Sequence, residues 1–168
     1  MANGLGNVID GDVNIIGNLR VGSLTLPSSC VGDTQITASA GPIAYNKLQQ
    51  QRSCKYAQKY GTAVVSERTG IHIPLGSGSV FSFFAALAVP CVGAATVVVD
   101  LLKNGSSVLS SPITFNNTVT AFNTVVGTFS STGYVSGDVH EINITATAGG
   151  GTIGQGLTVM LYTNESPT

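Results

Sequence analysis

Val97-Val98-Val99-Asp100-Leu101-Leu102-Lys103-Asn104-Gly105-Ser106-Ser107-Val108-Leu109 is two apolar runs around an Asn-Gly pair. Asn and Gly both accept the positive φ of a two-residue type I′ turn, and the twist of that turn matches the twist of antiparallel strands. Residues 97–109 are therefore expected to fold back as one hairpin. Outward from it, short apolar runs continue to alternate with clusters of Gly, Ser, Asn and Pro. This pattern predicts strands over 62–66, 70–74, 79–89, 94–103, 107–115, 119–130, 139–148 and 157–163. An edge strand is expected over 54–60, with Cys54, Tyr56 and Tyr60 on one face and Lys55 and Lys59 on the other. Within Val139-His140-Glu141-Ile142-Asn143-Ile144-Thr145, the alternation turns Ile142 and Ile144 inward and Glu141, Asn143 and Thr145 outward. The expected fold is all-β, an antiparallel β-sandwich of jelly-roll type with about eight strands. An immunoglobulin-like sandwich lacks support, because the chain has no Trp and no suitably spaced Cys pair.

The first quarter of the chain is different. Gly6-Asn7-Val8-Ile9, Gly11-Asp12-Val13-Asn14-Ile15, Gly17-Asn18-Leu19-Arg20-Val21 and Gly22-Ser23-Leu24-Thr25-Leu26 repeat glycine, a small polar residue and aliphatic residues. Each unit has room for one very short strand and a turn, too little to enclose a core of its own against the ordering entropy. Val8, Ile9, Val13, Ile15, Leu19, Val21, Leu24 and Leu26 are therefore expected to be covered by identical copies around a shared axis, where a head-to-tail ring closes without an open edge. Residues 1–51 read as this arm plus a connector, with a short helix over 45–51, and residues 52–168 as the sandwich.

Composition sets further bounds. Of the 168 residues 43% are hydrophobic, but only 9% are charged and the net charge is -1, against roughly a quarter charged in ordinary soluble domains. A surface this poor in charge is expected to be covered in part by other subunits or a larger particle. The longest apolar run, 83–92, contains Pro90 and is shorter than a membrane helix requires. The first residues show no basic segment followed by an apolar stretch, so synthesis in the cytosol is expected. Cys30, Cys54 and Cys91 are odd in number and far apart, and read as small buried hydrophobes rather than a disulfide or metal framework.

Motifs of chemistry are weak. Gly149-Gly150-Gly151-Thr152-Ile153-Gly154 imitates a dinucleotide fingerprint, but the following Gly156-Leu157-Thr158-Val159-Met160-Leu161 reads as a strand, which leaves no helix N-terminus for a pyrophosphate. Asp10-Gly11-Asp12-Val13-Asn14 begins like a calcium loop, yet the twelfth position is Val21 in place of the expected glutamate. His72 and His140 stand outside any metal or triad spacing, and His72, between Ile71 and Ile73, is expected to face solvent or an interface. No catalytic residue, cofactor or metal is assigned. Lys47, Arg52, Lys55 and Lys59 fall in one stretch without an acid; they read either as a solvated strand face or as a docking patch for an acidic partner.

The run Gly17-Asn18-Leu19-Arg20-Val21-Gly22-Ser23-Leu24-Thr25-Leu26-Pro27, with Val31-Gly32-Asp33-Thr34-Gln35-Ile36 after it, resembles the N-terminal segments of tailed-bacteriophage virion proteins, notably trimeric fibres and capsid decoration (cement) proteins. Val99-Asp100-Leu101-Leu102-Lys103-Asn104-Gly105 and Ser111-Pro112-Ile113-Thr114 are similar to phrases in small jelly-roll domains of phage structural proteins. The resemblance implies a homotrimer on the capsid exterior whose arm grips the major capsid protein, with no nucleic acid, membrane or cofactor as partner. The rival reading is a fibre tip or receptor-binding module, in which Tyr134, Tyr56 or Tyr60 stack on host glycans.

Overall fold

The computed structural model describes residues 50–166, which lie within the compact unit Gly41–Thr168. The described chain is all-β. Its strands are β1 (Gln50–Ala57), β2 (Glu67–His72), β3 (Ser77–Val89), β4 (Thr96–Lys103), β5 (Ser106–Ser107), β6 (Leu109–Ser111), β7 (Ile113–Phe115), β8 (Val125–Val126), β9 (Thr128–Phe129), β10 (Gly133–Tyr134), β11 (His140–Thr147) and β12 (Gln155–Ser166). The first sheet runs β1-β12-β3-β10 with β8 also on β3, the second runs β2-β11-β4-β5 with β7 also on β4, and β6 and β9 form a small ribbon. All pairings are antiparallel.

With β5–β7 taken as one interrupted strand and β8–β10 as another, the order is first, eighth, third, sixth in one sheet and second, seventh, fourth, fifth in the other. That order is a jelly roll. The core lies between the sheets and follows the period-2 alternation of each strand. Phe83, Ala85 and Leu87 of β3, Val97, Val99 and Leu101 of β4, Ile142 and Ile144 of β11, and Leu157, Val159 and Leu161 of β12 are all buried, joined by Phe115 of β7. Cys91 is buried, and Cys54 packs half-buried against this core.

The Asn-Gly turn forms as expected, with φ of 50° at Asn104 and 83° at Gly105, and β5 returns along Leu102 and Lys103. The hairpin then departs from a continuous pair. Pro112 has no N–H to donate, and the chain swings out so that β6 pairs with β9 before β7 rejoins β4 at Val97, Val98 and Val99. The strand expected over 119–130 is mostly loop. Asn116 Oδ1 accepts from the Thr118 N–H at 2.9 Å and Phe122 takes a φ of 58°, which holds the segment off the ladder until β8. Residues 62–66 supply one bridge, from Ala63 to Gln155, because the Gln58 side chain takes up the backbone of Val65 at 2.9 Å in both directions. The edge strand begins earlier and ends earlier than expected, at Gln50 and Ala57, so Gln50 and Gln51 are extended where a helix end was expected. β10 was not foreseen. It is too short for a periodic signal and pairs with β3 at Ser79 and Gly78. Gly78 is required there, since a Cβ would stand 2.1 Å from the Asn164 carbonyl oxygen and 2.5 Å from the Tyr134 hydroxyl.

Candidate functional site

Two features of the described residues stand out, a polar cluster closing one end of the sandwich and an apolar face on the outside of the first sheet. The cluster is built from both sheets. His72 ends β2 and His140 opens β11; their Nδ1 atoms are 3.2 Å apart and their rings stack at 5.3 Å. Tyr134 of β10 stands edge-on to both rings and donates its hydroxyl hydrogen to the Asn164 carbonyl at 2.9 Å. Behind them lies Glu165 of β12, whose Oε1 accepts from the N–H groups of Leu75 and Gly76 at 2.8 and 2.7 Å while Oε2 forms an ion pair with Arg52 Nε at 2.9 Å.

One histidine must donate and the other accept, so the pair suits neutral rings. Burial, reinforced by His72, pushes the His140 pKa down to about 4, and burial also lowers that of His72. Beside the cluster, Asp138 accepts from the Val135 N–H and from Asn104 Nδ2, and these bonds hold its carboxyl below the usual range. The hydrogen bonds of this group run within the fold, and it reads as a plug that joins the two sheets at one end. His72 is thus turned inward toward His140, not outward to solvent. Tyr134, expected to be an exposed sugar-stacking aromatic, is buried at 4%. The alternation that turns Ile142 and Ile144 inward also turns His140 inward, which was the available signal. The β-bulge between His140 and Glu141, which shifts β2 in register, could not be foreseen.

The outer faces of the two sheets differ. On the second sheet Arg68 and Glu141 form a two-pronged pair at 3.1 and 2.8 Å, with Asp100 and Asn143 beside it. On the first sheet the cross-strand row Lys55, Met160, Phe84, Val126 carries one charge, at its edge. Phe84 stacks on Tyr162 at 5.7 Å, and Tyr162 meets Phe81 at 5.9 Å. Phe81 is the extra residue of a bulge between Tyr162 and Thr163, which carries its ring to the outside. At the other end of this face Tyr60 and Phe122 wall an open hollow of about 310 Å³ over Ala86, Ala88 and Thr158.

The arm positions Val8, Ile9, Val13, Ile15, Leu19, Val21, Leu24 and Leu26, with Lys47 and Cys30, lie outside the described residues. The remaining basic residues separate. Arg52 turns to Glu165, Lys55 lies on the outer face of the first sheet, and Lys59 follows the end of β1. Among the described residues no group of three or more His, Cys, Asp or Glu is placed to hold a metal ion. Gly149–Gly154 of the glycine-rich run lie between β11 and β12, with no helix following.

No known protein family and no curated protein matches the sequence. Among solved structures, the chain is similar to one described as the structure of infectious bursal disease virus Gt strain, at 13% identity and a TM-score of 0.26, over 71% of this chain and 38% of that one. The present chain therefore spans well under half the length of that structure, and the likeness is too distant to bear on what this chain does.

Proposed function

We propose that this chain is a structural virion protein, a homotrimeric capsid decoration protein that binds the outer surface of the shell through its N-terminal arm and stabilises it. The observation that carries the reading is a chain with 9% charged residues whose first sheet carries a cluster of aromatic rings, Phe81, Phe84 and Tyr162, on an outer face that no other described residue covers. Contiguous exposed apolar surface of this kind belongs to an interaction site. The arm supports the same conclusion, since its aliphatic positions need partners to be buried. Its Gly-Asn-Leu phrases resemble those of phage fibres and decoration proteins. The partners proposed are further copies of the chain and the major capsid protein, and no catalysis is assigned.

Val13→Asp and Leu24→Asp place a charge in the arm. Both are expected to lose co-sedimentation with empty capsids and to lower the mass seen by light scattering, while the sandwich melts as before. Undiminished attachment and mass would overturn the role given to the arm.

One observation favours a second reading, a glycan-binding module of a fibre. Tyr60 and Phe122 both line the hollow and stand exposed, and a sugar ring could stack on either. A glycan array separates the two readings, since a decoration protein gives no signal on it.

A further inference from the structure

Resting on that reading of self-association, we propose that the outer face of the first sheet is where the body of a second copy of this chain packs, so that the sandwiches as well as the arms hold the assembly together. Four observations support it. The first is size. Phe81 is 43% exposed, Val126 63%, Tyr60 69% and Phe122 72%. At roughly 150–250 Å² for a whole aromatic side chain, the exposed parts of these residues alone amount to several hundred square ångströms. That is a substantial part of the about 800 Å² per partner in a standard interface.

The second is charge. Lys55 is the one charged residue in the cross-strand rows of this face, whereas the opposite face carries Arg68, Glu141 and Asp100. Within these rows an acidic macromolecule would find only Lys55 to pair with, and a basic one no partner. A copy of the same chain, with a net charge of -1, brings almost no repulsion. The third is position. β1 is the edge strand of this sheet, so among the described residues no further strand flanks this face on that side.

The fourth is shape. The ring of Phe81 projects at the bulge, and the hollow over Ala86 and Ala88 lies elsewhere on the same sheet. A projection and a recess at different places on one face suit a head-to-tail contact, which closes into a ring, rather than a self-matching dimer.

The test uses the full chain carrying Phe81→Asp with Val126→Asp, and separately Thr114→Asp, an exposed position on the opposite sheet. Mass is read by light scattering across a dilution series, and thermal unfolding confirms that each variant is folded. Expected is a folded double variant that dissociates at concentrations at least about 100-fold higher than the parent, with Thr114→Asp unchanged. A folded double variant that keeps the parent's mass throughout the series overturns this inference but leaves the arm-based assembly standing. A parent chain that is monomeric at every concentration overturns both. Glycan binding by the parent that is lost in the double variant also overturns it, making a sugar the occupant. Should the double variant fail to fold, the same series with Phe81→Ser and Val126→Thr, which remove apolar area without adding charge, is expected to show the same direction of change. Unchanged mass there counts against the inference equally.

Discussion

At the scale of single residues, the end plug holds two neutral imidazoles where water is scarce. His140 is 1% exposed, and its pKa lies near 4 against an ordinary 6.5. The groups around it are His72, Tyr134, Asp138 and Lys103; Asp138 favours its protonation, but burial, His72 and Lys103 oppose it. The unfolded chain therefore takes up a proton before the folded one as the pH falls. The stability tied to this neutral imidazole is fully present above about pH 6.5 and declines as the pH falls toward about 4. Urea unfolding across that range is expected to show the decline, and His140→Phe is expected to flatten it. An equal slope in both proteins would exclude this histidine as its source. Glu165 tests the same plug by a different route. Glu165→Ala strands the Leu75 and Gly76 N–H groups and the Arg52 guanidinium, and should lower stability by roughly 2–4 kcal/mol. Glu165→Gln keeps an acceptor for the two N–H groups and should lose less. Thermal melts of the two variants check that order.

At the scale of elements, the turn between β4 and β5 is held from outside as well as from within. Asn104 Nδ2 donates to Asp138 at 2.7 Å, and Asn104 Oδ1 accepts from the Val139 N–H at 2.8 Å, which ties the hairpin to the start of β11. Asn104→Ala loses both bonds and keeps the positive φ, for an expected cost of about 2 kcal/mol. Gly105→Val meets steric strain at a φ of 83° and should cost about 1–2 kcal/mol without touching either bond. The midpoint of urea unfolding separates the two. This turn was legible because Asn-Gly between apolar runs encodes a backbone conformation locally. The inward set of β11 was legible for a similar reason, since alternation alone assigns Ile142 and Ile144. The break at 108–112 and the loop at 116–124 were not legible. Both depend on Pro112, on the Asn116 side chain and on the positive φ of Phe122, and an apolar run carries no record of such interruptions. The outer face of the first sheet had a partial signal. Phe83-Phe84-Ala85-Ala86-Leu87-Ala88-Val89 is apolar at every position, a pattern of strands covered on both sides.

At the scale of the whole molecule, the contrast between the two outer faces says which force would govern the proposed assembly. A chain with 9% charged residues and a net charge of -1, with one charge in the cross-strand rows of its apolar face, offers little for electrostatic steering or pairing. Apolar burial has no such dependence on counterions, and excluded salts such as sulfate strengthen it. Raising the ionic strength from about 0.1 M to about 1 M shortens the Debye length from about 10 Å to about 3 Å and so suppresses contacts between exposed charges. The assembly of the full chain is therefore expected to keep its mass in sedimentation velocity over that range of sodium chloride, and to dissociate at lower protein concentration in sodium sulfate than in chloride at equal ionic strength. Attachment through Lys55 and Lys59 to an acidic surface would behave in the opposite way, weakening steadily as salt is added. If capsid attachment falls with salt while the mass of the free assembly stays constant, two surfaces are at work. The apolar face then joins copies to one another, and Lys59, beyond the end of β1, meets the shell. If the mass itself falls with salt, association rests on charges, and an uncovered aromatic sheet cannot be what holds the copies together.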